Sequence, residues 1–192
     1  MYKLRPVGTD DLDDIFDWRN HDDIRKHMYN YEIITRSEHV NWFEKMLVSP
    51  EMSYFILEKE KDKIGVLGFY DIDEKTCMAS WAFYKSPYLN VRGIGVIMEY
   101  LALEYYFDYL SMRKLNCEVL EHNSSVIKMH EKFGFIVEGC KRKHFLNKNG
   151  DYEDIYLLSI FRSEWLNIKE KIENVLETKF GINGNQLEII KP

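Results

Sequence analysis

Cysteine is scarce in this chain of 192 residues. Cys77, Cys117 and Cys140 are widely spaced and odd in number. They build neither a disulfide framework nor a thiolate metal site, and free thiols suit a reducing compartment. No apolar run approaches the ~20 residues that cross a bilayer. The opening residues Met1-Tyr2-Lys3-Leu4-Arg5-Pro6 lack the apolar stretch of a secretion signal and read as the start of the fold. The expectation is a cytoplasmic protein with no membrane partner and no metal. Basic charge is also in deficit, with 26 Lys and Arg against 32 Asp and Glu and a formal net charge of -6. That balance disfavours nucleic acid as the main partner, because phosphate neutralisation dominates such binding. It still permits a local basic pocket for a small anion, which needs only a few arginines.

What the chain does have is ordinary globular composition, 45% hydrophobic and 30% charged, and enough length for one domain with a proper core. Its aromatic content of 15%, thirteen tyrosines included, suits surfaces that stack and hydrogen-bond as well as a packed core. Periodicity predicts a strand over 2–7 and a helix from Thr9, where Asp10 and Asp11 meet the positive end of the dipole. A second short helix is expected over 20–28. Thr35-Arg36-Ser37-Glu38 fits a capping box for a third helix, with Val40, Phe43 and Leu47 as its apolar stripe. Strands follow at 54–57, 64–72 and 77–84, a long helix over 93–110, a strand over 115–120 and a helix over 123–133 stopped by Gly134. A strand opens at 135–137, the last covers 154–160, and an amphipathic helix runs over 161–179 before a polar tail. The order implies one α/β domain with a mixed sheet, in which central antiparallel hairpins exclude a doubly wound parallel fold.

One stretch carries chemistry: Tyr84-Lys85-Ser86-Pro87-Tyr88-Leu89-Asn90-Val91-Arg92-Gly93-Ile94-Gly95-Val96. A strand ends, a loop crosses, and a helix starts at paired glycines. Free backbone N–H groups then converge at the positive end of a helix dipole, and glycines let an anion approach the backbone closely. Taken alone, the pair fits a pyrophosphate cradle or simple loop geometry, and the G-x-G-x-x-G signature is absent because Val96-Ile97-Met98 follows.

A second motif lies one strand and one helix later: Asn123-Ser124-Ser125-Val126-Ile127-Lys128-Met129-His130-Glu131-Lys132-Phe133-Gly134-Phe135. Together, Asn90, Arg92, Gly93 and Gly95 in the first motif, and Asn123, His130 and Gly134-Phe135 in the second, resemble the hallmarks of the GNAT (Gcn5-related) N-acetyltransferases. The resemblance covers about residues 1–160, leaving 161–192 as a C-terminal helix and tail that could pack on the domain or mediate a homodimer. It implies a mixed α/β sheet with splayed central strands, and acetyl-CoA as co-substrate. Backbone at Phe83 and Lys85 would pair with the pantetheine arm, and the amides of Arg92, Gly93, Ile94, Gly95 and Val96 would hold the pyrophosphate. Asn123 would hold the CoA arm. Two positions depart from the pattern: Asn90 stands where Arg or Gln is usual, and His130 where many relatives place a tyrosine acid. An imidazolium at 130 could protonate the leaving thiolate, or the ring could only pack beside CoA.

The N-terminal region would shape the acceptor site. Trp18-Arg19-Asn20 and Glu38-His39 with Trp42-Phe43 resemble the sugar-modifying GNATs of the pseudaminic-acid pathway, and partly the ribosomal-protein N-terminal acetyltransferases. The first resemblance implies a small nucleotide-sugar partner, a UDP-linked 4-amino-4,6-dideoxy sugar. Its phosphates and uracil call for cations and an aromatic shelf, which Arg19, Arg25, Lys26 and Arg36 beside Trp18, Tyr29, Tyr31 and Trp42 could supply. Arg19, Asn20, Arg25, His39, Trp42, Trp18 and, on the fourth strand, Ser80 are the expected acceptor contacts. Direct attack requires a neutral amine, so a base is expected; His39 and Glu121 are the candidates, the latter at the end of the fifth strand. A backbone N–H near Phe83 would polarise the carbonyl. The competing readings are an N-terminal protein acetyltransferase and a non-catalytic CoA-binding domain.

Overall fold

The computed structural model describes residues 1–191. Its strands are β1 (Tyr2–Pro6), β2 (Ser53–Lys59), β3 (Asp62–Asp73), β4 (Met78–Lys85), β5 (Lys114–Leu120), β6 (Ile136–Leu146), β7 (Tyr152–Phe161) and β8 (Leu187–Ile189). Its helices are α1 (Leu12–Asn20), α2 (Asp22–Arg25), α3 (Arg36–Val48), α4 (Ile94–Leu103), α5 (Ser124–Lys132) and α6 (Arg162–Phe180). The strands form one sheet in the order β6-β7-β5-β4-β3-β2-β1-β8. Meander hairpins pair antiparallel through the middle, while β4–β5 and β1–β8 are parallel, so the sheet is mixed as the element order predicts.

The sheet opens where chemistry is expected. β4 and β5 pair only through Met78–Ser80 and Lys114–Asn116. Beyond Ser80, β4 keeps β3 on one side, up to Lys85 opposite Gly65, and has no strand on the other. β5 likewise keeps β7 to its end. The two strands therefore leave a wedge whose β4 wall presents unpaired backbone groups, and a buried peptide group needs a partner.

Alternation along each strand divides the side chains between two cores. On one face Trp81, Leu115, Cys117, Val119 and Leu158 pack against α4, α5 and α6. On the other, Ile56 and Val66 pack against Ile15 and Trp18 of α1 and Phe43 and Met46 of α3. A smaller cluster joins Leu120, Phe145 and Ile155 to Tyr31 from the loop after α2. That loop therefore closes the α1–α3 face over the end of β5. The capping box of α3 forms as expected: Thr35 Oγ1 accepts from the Glu38 amide, and Glu38 accepts from the Thr35 amide.

Three differences from the sequence expectation have clear causes. The second helix is a single turn, because Arg25 turns back to the carbonyls of Asn20 and Tyr31 and holds an irregular loop instead. The strand opening at Ile136 runs eleven residues, as its partner β7 supplies a long hairpin ladder that its weak alternation does not announce. The polar tail ends in β8, which pairs with Tyr2–Leu4 and covers the free edge of β1. The C-terminal helix itself is built into the main core through Trp165, Ile172 and Leu176.

Candidate active site

The wedge has a different set of groups on each face. On the α4 side, the chain turns from β4 through Ser86, whose amide donates to the Ile64 carbonyl, and reaches Gly93. Gly93 is the N-cap of α4 with φ +78 and ψ 9, a left-handed conformation that side chains with a Cβ rarely adopt. An added Cβ would also stand 2.4 Å from the Phe180 ring, so close packing independently demands glycine. Gly95, the second residue of α4, lies against Met129 of α5. The first-turn amides of α4 have no intrahelical acceptor and sit at the positive end of the dipole; that of Ile94 donates to the Val91 carbonyl of the preceding loop at 3.3 Å. Arg92 and Asn90 are exposed beside them, and Ile94 is buried as the first anchor of the helix.

Asn123 precedes α5 with φ -88 and ψ 41, and its side chain does not cap the helix. Its carboxamide makes no hydrogen bond among the described residues, which suits a group reserved for a bound molecule. Phe83 lies half-buried and Lys85 exposed on the stretch of β4 that lacks a strand partner. Loop amides, edge backbone and a free carboxamide thus border one wedge, and this set fits the pyrophosphate and amide-rich arm of CoA.

His130 stands apart from that set. It is 2% exposed, and its Nδ1 is 2.8 Å from Oε1 of Glu99, itself 0% exposed. Trp81, Phe83 and Phe135 box the ring at centroid distances of 5.5, 6.2 and 4.9 Å. Burial works against its charge, but Glu99 and Cys117 outweigh that and push its pKa up. Histidine is shorter than tyrosine, so the ring stops inside the core and meets an α4 carboxylate. Sequence offered this ring as the acid for the leaving thiolate or as packing beside CoA; the structure buries it and turns its Nδ1 to Glu99. Glu99 was missed by sequence reasoning, although one acid inside the apolar run Ile94–Leu103 is a visible signal, since a helix apolar all round is buried.

The α1–α3 face holds the acceptor candidates. Trp18 is a core residue, 3% exposed among Ile15, Phe43 and Met46. His39 is also buried. Its Nε2 is 3.0 Å from the Leu12 carbonyl, and Phe16, Trp42 and Phe43 surround the ring. Burial lowers its pKa, ahead of the opposing Leu12 contact, so it is a neutral pin between α3 and α1. His39, one of the two expected bases, is thus turned by α3 into the core. Trp42 packs edge-on to Tyr54 at 5.4 Å and is half-buried.

Asn20 spends its amide on Ile34, donating to its carbonyl at 3.0 Å and accepting from its N–H at 2.9 Å. Arg25 is likewise committed to loop carbonyls and to Asp22. Ser80 faces this side but lies at the base of the wedge, opposite Asn116 where the strands are still paired. Glu121 sits in a 3₁₀ turn after β5 and accepts from the Asp154 amide at 3.1 Å.

Two of these candidates leave a buried nitrogen without a partner, Nδ1 of His39 and Nη1 of Arg19, and only Arg19 carries a charge there. One of its amino nitrogens donates to the Asn30 carbonyl, while Nη1 is buried with no hydrogen-bond partner. Burial, with Arg25 nearby, lowers its pKa against the opposing influence of Tyr84. A buried, unsatisfied guanidinium donor is costly unless something meets it.

Comparisons agree with this architecture. A family model for the acetyltransferase (GNAT) domain matches residues 2–136. The acetyltransferase PseH of Campylobacter jejuni is 28% identical over 140 residues, covering 71% of this chain and 86% of the relative. The spermidine N(1)-acetyltransferase of Escherichia coli is 25% identical over 164 residues, covering 85% and 88%. The crystal structure of spermidine N-acetyltransferase from Vibrio cholerae in complex with CoA and spermine superposes with a TM-score of 0.81, at 24% identity over 86% of this chain and 98% of that one. A glycine-opened helix N-terminus, strands that part beside it, and a family match spanning both lead to one assignment: the chain belongs to the GNAT family and is an N-acetyltransferase.

Proposed function

We propose that the enzyme transfers acetyl from acetyl-CoA directly to the amine of a nucleotide-linked amino sugar of the 4-amino-4,6-dideoxy type. Gly93, Ile94, Gly95 and Val96 would hold the pyrophosphate through their amides, with Arg92 adding charge and Asn123 meeting the arm. Acetyl-CoA supplies an activated thioester; the protein binds it along the unpaired edge of Phe83 to Lys85, where a backbone N–H can polarise the carbonyl. The amine then attacks without a covalent enzyme intermediate, so none of the three cysteines is required.

The observation that carries the choice of acceptor is Arg19. Its buried, unpartnered Nη1 is a donor waiting for an anion, and a nucleoside diphosphate supplies one with bidentate geometry. Tyr84, beside it on β4, belongs to the same face. Similarity to PseH points the same way. A polyamine is the second reading, favoured by the similarity to spermidine acetyltransferases and by the carboxylates Glu118, Glu121 and Glu153 on the opposite wall. A polycation would leave Arg19 unsatisfied and repelled.

Arg19→Met separates the two. The nucleotide-sugar reading expects KM for the sugar to rise ~10-fold or more, the loss of a charge-assisted hydrogen bond worth about 1.5–3 kcal/mol, with KM for acetyl-CoA unchanged. Unchanged sugar KM together with efficient spermidine turnover would overturn it.

A further inference from the structure

Three titratable side chains from distant parts of the chain form one hydrogen-bonded line at the open end of the acceptor face. His27, on the loop after α2, has Nδ1 3.1 Å from Nε2 of His122, and the rings stack with centroids 5.1 Å apart. His122, in the 3₁₀ turn that ends the splayed β5, has Nδ1 2.5 Å from Oε2 of Glu153 on β7. The other Glu153 oxygen accepts from Asn147 Nδ2 at 2.6 Å. The loop that carries His27 is fixed on both sides of the wedge: Asn30 receives Arg19 beside β4, and Tyr29 donates to Glu118 of β5.

With both imidazoles neutral, the order of this line sets the tautomers. An ionised Glu153 can only accept, so His122 must carry its proton on Nδ1 and offer a lone pair at Nε2. His27 must then donate from Nδ1 to that lone pair. Its remaining nitrogen, Nε2, is left unprotonated, and it makes no hydrogen bond among the described residues. The residue is exposed, with one ring face stacked on His122. A carboxylate, an orienting imidazole and an outward imidazole base make the arrangement that proton abstraction needs.

We propose that His27 is the catalytic base that deprotonates the acceptor ammonium, with His122 and Glu153 as positioning residues. The inference rests on the reading that the acceptor amine enters on this face. In the step, one N–H bond of the ammonium breaks, its electron pair stays on the amine nitrogen, and the proton bonds to Nε2 of His27. The Nδ1 proton of His27 can shift to Nε2 of His122, which brings the positive charge beside Glu153 before the proton is lost to solvent.

The surroundings suit this. Partial desolvation where the ring stacks on His122, then the charges of His122 and Lys26, hold the His27 pKa below its ordinary value against the pull of Asp23, which favours the neutral, proton-accepting form. Lys26 is itself paired with Asp23. Burial would raise the Glu153 carboxyl, but Asn147 and His122 hold it below the usual range and keep it ionised.

The test uses the full chain with acetyl-CoA and, in parallel, a UDP-linked 4-amino-4,6-dideoxy sugar and spermidine. His27→Gln is expected to lose ~100-fold in kcat, the scale of general-base catalysis, with the acceptor KM nearly unchanged. The rising limb of the wild-type pH–rate profile, which reports a base that must be deprotonated, is expected to disappear. Imidazole nitrogen NMR is expected to show the Nδ1-protonated neutral tautomer for both histidines, and Glu153→Gln to disturb both while Glu153→Asp keeps it. Wild-type kcat in His27→Gln, or an Nε2-protonated His27, would overturn the proposal. Failure of the nucleotide-sugar reading alone has a different signature, turnover of spermidine only, and the His27→Gln comparison is then made on spermidine.

Discussion

Removing one partner of the Glu99–His130 pair should cost far more than removing both. The two groups are essentially inaccessible to water, His130 Nδ1 and Glu99 Oε1 face each other at 2.8 Å, and Oε2 of Glu99 has no hydrogen-bond partner. Stranding one member of such a pair typically costs about 3–5 kcal/mol, whereas replacing both by apolar groups of similar volume is neutral or stabilising by about 1–4 kcal/mol. A stranded Glu99 would take up a proton, since burial already raises its pKa. That relief lowers the cost toward the ~1–3 kcal/mol of an unsatisfied buried polar group. Glu99→Met and His130→Phe, alone and combined, are the variants; phenylalanine suits the box of Trp81, Phe83 and Phe135. With about 2–4 °C of Tm per kcal/mol for a chain of this size, each single variant should melt several degrees lower. The double should return close to the wild-type value. Equilibrium denaturation and calorimetry read the coupling directly. A double variant as unstable as the sum of the singles would refute the claim that the two groups depend on one another.

Two further outcomes follow from the geometry. Gly93→Val must force a β-branched residue into φ +78 at the mouth of α4, so acetyl-CoA affinity measured by titration calorimetry should be lost; Gly93→Val with Phe180→Ala, which removes the clashing ring, should still fail to bind. Retained affinity in that pair would reject the loop assignment. Burial alone would raise the Asp11 carboxyl, but Arg5, the Gly8 amide and Lys63 hold it down to about 2. A carboxyl held below its unfolded value contributes stability that is present above pH ~4 and lost as pH falls toward ~2. Acid melts of Asp11→Asn should therefore be flatter than wild type across that window, and parallel curves would contradict the assignment.

Local chemistry made much of the fold legible. Thr35 and Glu38 cap α3 because a capping box satisfies amides within four residues, and Gly93-Ile94-Gly95 opens α4 because left-handed backbone favours glycine wherever it occurs. The strands of the central meander follow from alternation, and the two spaced motifs carried the family. What sequence left open depends on contacts between residues far apart. β8 is three residues whose only reason to be a strand is the exposed edge of β1. His130 and His39 look alike as polar residues on amphipathic helices, yet each is claimed by a partner on another element, Glu99 at 2.8 Å and the Leu12 carbonyl at 3.0 Å. Arg25 and Asn20 read as binding residues and became loop ties, while Arg19, next to Asn20 in the chain, kept a donor free. The line from Glu153 through His122 to His27 spans most of the chain and exists only because β7, the end of β5 and the loop after α2 meet. Sequence by itself determined the turns, caps and periodicities, which are decided by neighbours along the backbone. Which polar side chain is sealed and which is offered to a substrate was decided by the tertiary structure, because burial and partnership are properties of the space the folded chain encloses.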